Sequence, residues 1–151
     1  FIKQNRLIVS NNNAKTKSLG KRGLARLKVV QALYQMQMTD HSRSELLSQF
    51  RSHEEYQRID KHYFTEALKS IFDDQDKIAS GIQKLIDRPV DQLDPVEMGI
   101  LMVGYYELQM KHDIDIPVII DEAVNLAKCF GSIDGHKYIN AILDKAAKHL
   151  R

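Results

Sequence analysis

Asp94-Pro95-Val96-Glu97-Met98-Gly99-Ile100-Leu101-Met102-Val103-Gly104-Tyr105-Tyr106-Glu107-Leu108 is the stretch that decides the fold class. It opens with three helix-start signals. Asp94 can accept a bond from a first-turn amide, and Pro95 forfeits nothing at the first helical position. Glu97 sits where the helix dipole favours a carboxylate. The residues that follow are apolar on nearly every side. A helix of that kind is covered all round, by its own chain or by a partner. The stretch therefore predicts a central helix with other helices packed on it.

Helical punctuation continues on both sides. Ile116-Pro117 begins a helix through Ile120, Ala123, Val124 and Ala127, with Gly131 in the place of a C-terminal glycine cap. A turn around Ser132, Asp134 and Gly135 leads into a last helix, with Tyr138, Ile139, Ile142, Leu143 and Ala146 inward. Before the central segment, Phe64, Ala67, Leu68, Ile71 and Phe72 trace one apolar stripe, and Ile78, Ile82, Leu85 and Ile86 trace another. These are two helices, or one with a break near Asp74. Ser42-Arg43-Ser44-Glu45 reads as a capping box that opens a short helix, and 51–59 as a loop or frayed helix. Leu24, Leu27, Val30, Tyr34 and Met38 line one face of a first helix, with cations on its outer side. No segment alternates with period two for long enough to form a strand. The expected fold is an all-α bundle of about six or seven helices, forming one domain over 21–151 behind a flexible basic segment, 1–20.

Charge is divided unevenly along the chain. The first thirty-nine residues hold eight basic side chains (Lys3, Arg6, Lys15, Lys17, Lys21, Arg22, Arg26 and Lys28) and no acidic one. The remainder carries fourteen basic and twenty acidic residues beneath an overall charge of +2. Such asymmetry points to a polyanion, unless the segment is only a solvated tail. Lys21, Arg22, Arg26 and Lys28 fall on the first helix, where a folded scaffold lowers the entropic cost of tracking phosphates. An anionic membrane is the poorer partner, because the Ser-Asn-rich part of the arm lacks an apolar face. No apolar run is long enough to span a bilayer, and no secretory signal is expected at the start.

The chemistry of enzymes is hard to place on this chain. Phosphate loops, dinucleotide glycine patterns and nucleophile elbows are missing from the sequence. His41, His53, His62, His112, His136 and His149 show no spacing that fits a metal site. Asp121 and Glu122 are adjacent, hence about 100° apart on a helix, and are explained by the dipole of the helix they begin. Cys129 reads as a buried small hydrophobe, and a lone cysteine fits a reducing, cytoplasmic setting. No cofactor or metal is expected.

Four blocks taken in order carry a family resemblance: Gln31-Ala32-Leu33-Tyr34-Gln35; Asp94-Pro95-Val96-Glu97 with Ile100-Leu101 and Tyr106-Glu107-Leu108; Ile116-Pro117 with Asp121-Glu122-Ala123-Val124-Asn125-Leu126-Ala127-Lys128 and Phe130-Gly131; and His136-Lys137-Tyr138-Ile139-Asn140-Ala141-Ile142-Leu143-Asp144-Lys145. Together they resemble the NusB family of transcription antitermination factors. The resemblance implies a non-catalytic RNA-binding protein that pairs with the ribosomal protein NusE. The pair would bind boxA RNA on the RNA polymerase elongation complex and support ribosomal RNA transcription. It further implies RNA contacts at Lys21, Arg22, Arg26, Lys28, Gln31, Tyr34, Asp134, Lys137 and Tyr138, and partner contacts on the central helix at Glu97 and Met102. The chain departs from the family pattern at Gly23 and Leu24, where further basic residues are common, and at Ala141 and Met102.

Physical reading leaves two of these open. Tyr34 lies within the apolar stripe, so its ring is either core or a base platform, and Tyr138 faces the same choice. The competing function is a helical protein-interaction scaffold with incidental RNA binding. It rests on the surplus of apolar residues at Met98, Met102, Val103 and Tyr105.

Overall fold

The computed structural model describes residues 19–151. Among them are seven α-helices and no strand: α1 (Lys21–Met38), α2 (Arg43–Arg51), α3 (Lys61–Asp73), α4 (Gln75–Gln83), α5 (Pro95–Met110), α6 (Ile116–Phe130) and α7 (Gly135–Leu150). Two 3-10 turns, Glu54–Arg58 and Val90–Gln92, lie between them. The all-α expectation holds. The flexible segment expected at 1–20 lies almost wholly outside the described residues. The chain gathers into two compact units, one ending at Phe72 and the other running from Asp73 to Arg151.

In the first unit, local sequence explains where α2 and α3 begin. The Ser42 hydroxyl accepts the Glu45 amide at 3.2 Å while the Glu45 carboxylate accepts the Ser42 amide at 3.3 Å, so the capping box that opens α2 is complete. Asp60 caps α3 by accepting the Tyr63 amide at 3.0 Å, and its own amide donates to the Lys21 carbonyl at 3.1 Å, tying the starts of α3 and α1 together. Phe50 of α2 and Phe64 of α3 meet with ring centroids 5.8 Å apart, and Tyr56 sits edge-on to Phe64 at 6.1 Å. Aromatic pairs of this kind contribute about 0.5–1.5 kcal/mol each beyond the area that they remove from water. The charged stretch expected as loop or frayed helix is in part the 3-10 turn Glu54–Arg58. Helix α1 departs from expectation more sharply. Every residue from Gly23 to Gln35 is buried, whereas Met38 of the expected stripe is exposed. A one-faced amphipathic helix is therefore corrected to one covered all round over most of its length.

The second unit is built on α5, α6 and α7, each packed on the other two, with α4 against α5. Asp94 caps α5 as expected, its carboxylate accepting the Val96 amide at 2.8 Å. Met98, Met102 and Val103 are all buried, so the surplus apolar surface expected on the central helix is largely used within the chain. Gly131 ends α6 with φ −90°, in extended rather than left-handed backbone. Its value there is room, since a Cβ would meet the Ala127 carbonyl at 2.8 Å and the Glu97 carboxylate at 3.0 Å. Cys129 is exposed, contrary to expectation. Helix α6 buries Ile119, Ile120, Ala123, Leu126 and Ala127, and Cys129 is turned well away from that face.

The far end of α5 is closed by an arginine. Arg151 donates from Nε to the Leu108 carbonyl at 2.9 Å and from Nη1 to Ile114 at 2.6 Å. Its Nη2 donates to Glu107 at 3.1 Å and to Lys111 at 2.6 Å. The last carbonyls of a helix lack partners within it, and a guanidinium with five donors can take several at once.

Candidate RNA-binding clusters

The cations of α1 divide into two pairs. Lys21 and Arg22, in the first turn, are exposed. Arg26 and Lys28, one and two turns on, are only 5% and 3% exposed, which corrects the expectation of four outward cations. Each buried charge is compensated. Lys28 donates to the Glu55 carboxylate at 2.8 Å, and the Arg26 guanidinium lies over the Tyr63 ring, 5.7 Å from its centroid. Arg22 lies over the same ring at 5.0 Å, while its Nε donates to Asp60 at 3.1 Å. The Tyr63 amide, with Arg22 second to it, holds the Asp60 carboxyl below the ordinary carboxylate range. An exposed ion pair contributes little to stability, about 0–1 kcal/mol. Here its effect is on geometry, since carboxylate and ring together fix a long side chain at the start of α1. Gln31 and Tyr34, further along, are buried; the Tyr34 ring is core.

Within the second unit, α7 starts at an exposed loop whose tip is Ile133, 92% exposed. Asp134 and Lys137 are exposed and face each other one turn apart at 3.6 Å. Tyr138 is half-buried, and the Arg88 guanidinium lies over its ring at 4.7 Å from the centroid. Asp87 completes this group, accepting from Arg88 Nε at 3.2 Å and lying 3.5 Å from the Tyr138 hydroxyl. The Arg88 contact lowers the Asp87 pKa, and Asp87 in turn raises that of Arg88. Burial raises the Tyr138 pKa. Sequence reading missed Arg88 because it stands in a polar connection with no periodicity. The only signal there was Pro89, which stiffens its neighbour's backbone.

Glu97 and Met102, the expected partner contacts, are 8% and 5% exposed. Glu97 has a clear local task. Its Oε2 accepts both the amide and the hydroxyl of Ser132, at 2.7 and 2.6 Å, and so holds the loop between α6 and α7 to the first turn of α5. Gly135 leaves room for that carboxylate, because a Cβ there would run into it. No group of three histidine, cysteine or acidic residues able to hold a metal occurs among the described residues. No described helix is long and apolar enough to cross a membrane.

Known proteins share this arrangement of helices and the sequence that builds it. The sequence model of the NusB family matches residues 24–148. A transcription antitermination protein NusB from Pseudomonas fluorescens is 40% identical over 140 residues, covering 93% of this chain and 84% of the relative. The NusB of Pseudomonas syringae pv. tomato is likewise 40% identical, over 91% of this chain and 83% of its own length. A solved structure of T. maritima NusB superposes with a TM-score of 0.74 at 28% identity, covering 84% of this chain and 90% of that one. The names of the two relatives are those of transcription antitermination proteins. The shared fold of the described helices, and sequence likeness from within α1 to within α7, lead to one conclusion: the chain belongs to the NusB family of transcription antitermination proteins.

Proposed function

We propose that this protein is an RNA-binding antitermination factor that pairs with the ribosomal protein NusE, binds boxA RNA on the elongating RNA polymerase and supports ribosomal RNA transcription in the cytoplasm. The observation that carries the RNA assignment is the exposed start of α1, where Arg22 is fixed by Asp60 and Tyr63 beside Lys21. Exposed cations at the start of a helix suit phosphate. Arg26 lies over the same Tyr63 ring against which Arg22 is set, while Lys28 pairs with Glu55. Asp134, Lys137 and Tyr138 form a second candidate cluster on the second unit, where Lys137 supplies charge and Tyr138 an aromatic ring. The scaffold alternative loses its main support, since Met98, Met102 and Val103 are buried.

The test is a fluorescence-anisotropy titration of labelled boxA-type RNA against a scrambled RNA, with and without NusE, at two salt concentrations. Preference for boxA that strengthens with NusE is the expected result. Arg22→Ala should weaken binding and make the slope of log K against log salt shallower by about 0.7, the share of one phosphate contact on a single strand. Tight NusE binding without RNA preference would leave only the scaffold.

A further inference from the structure

The connection between α4 and the 3-10 turn at Val90 holds a device that the resemblance does not assign. Gln83, the last residue of α4, reaches over this connection with both ends of its amide. Its Nε2 donates to the Arg88 carbonyl at 2.9 Å, and its Oε1 accepts the Val90 amide at 2.8 Å. Between these two bonds sits Pro89, whose ring fixes its own φ and restricts Arg88 before it. The backbone that carries Arg88 is thus held on both sides. Its side chain is still half exposed and lies over Tyr138.

We infer that Arg88 and Tyr138 form a stacked platform for an unpaired RNA base, in which the guanidinium, backed by the tyrosine ring, is the surface that the base meets. The inference rests on the RNA-binding reading above and adds a residue and a contact mode to it. Three observations favour a base over a phosphate. Asp87 already accepts from Arg88 Nε at 3.2 Å, so the pair presents little net charge to a phosphate. One side of the Tyr138 ring is occupied by the guanidinium, so a base approaching that side meets Arg88 first. An arginine guanidinium is also planar and weakly hydrated, and unstacked RNA bases are commonly received on such planes. Lysine has the charge but not the plane, which makes the idea separable by experiment.

The experiment uses the full chain and a single-stranded boxA-type RNA carrying 2-aminopurine at each position in turn. The wild-type protein should quench the probe at one position or more. Arg88→Lys should lose about 5-fold or more in affinity, together with the quenching, while the salt slope stays at the wild-type value. Tyr138→Leu, which removes the backing ring, should lose a similar factor, and Tyr138→Phe, which keeps it, should stay within about 2-fold. Arg88 is exposed, so its variants should melt as the wild type does. Wild-type affinity and quenching in Arg88→Lys would overturn the stacking role and leave the RNA-binding reading intact. An Arg88→Ala variant that weakens only through a shallower salt slope, with quenching retained, would reassign Arg88 to a phosphate. A wild-type protein that binds no single-stranded RNA, with NusE or without it, would remove both.

Discussion

Replacing Glu97 by alanine should destabilise the protein through one loop rather than through the core. The carboxylate accepts two short bonds from Ser132, one from its amide and one from its hydroxyl. Hydrogen bonds to a charged group are worth about 1.5–3 kcal/mol each. Ser132 is exposed, so water can serve its amide and hydroxyl once Glu97 is gone, and the full sum will not be lost. A net cost of about 2–3 kcal/mol is expected, or a fall in Tm of about 4–10 °C in a chain of this size. Ser132→Ala removes only the hydroxyl bond and should cost about 1 kcal/mol. The decisive quantity is the interaction term. Urea unfolding of the wild type, both single variants and the double variant should give a coupling of about 1 kcal/mol or more. If the two costs add to within about 0.5 kcal/mol, Glu97 does not act through Ser132 and the reasoning is wrong.

The same loop gives a second prediction. Gly135→Ala should cost about 1–3 kcal/mol, because the new methyl must displace the Glu97 carboxylate, and in a Glu97→Ala background its unfolding midpoint should move much less. In the first unit, the His53 pKa is lowered, chiefly by burial and further by the nearby Lys28 charge, against an opposing pull from Glu55. Unfolded His53 therefore takes up its proton at higher pH than the folded residue. Stability present above pH ~6.5 is lost as pH falls from there toward the folded value. Urea midpoints at pH 7.5 and 5.5 should drop less in His53→Gln than in the wild type; an equal drop would show that His53 is not the titrating group. Arg151→Ala should cost about 1–2 kcal/mol and speed amide exchange in the last turn of α5, since it removes the donor to the Leu108 carbonyl and a second donor to those of Glu107 and Lys111, which also accept the Lys111 and Ile114 amides.

Helix starts were readable because their signals are local. The Ser42–Glu45 box and the Asp94 cap each need only a few neighbouring residues, and both formed as the sequence implied. Burial was less readable. Periodicity marks the side of a helix that must be buried and is silent on whether the other side is buried as well. Arg26 and Lys28 looked outward on a wheel, yet each found compensation from a residue twenty-seven or more positions away, Tyr63 and Glu55. Glu97 was singled out for the right segment, but its bond to Ser132 spans thirty-five positions and has no local signature. Arg88 and Tyr138 are likewise joined only by the fold. Long stems let basic side chains lie along apolar or aromatic surface, so the charge of a residue says little about the exposure of its stem.

Arg151 also bears on the order of events during synthesis. The carbonyl of Leu108 waits for a guanidinium forty-three residues downstream. At about 5–20 residues per second, α5 would be complete for roughly 2–8 s before its closing side chain is made. During that interval the end of α5 can fray, and the mutual packing of α5, α6 and α7 is incomplete until α7 follows. The second unit is therefore expected to gain its final stability late, as the nascent chain delivers α7 and then the arginine beyond it.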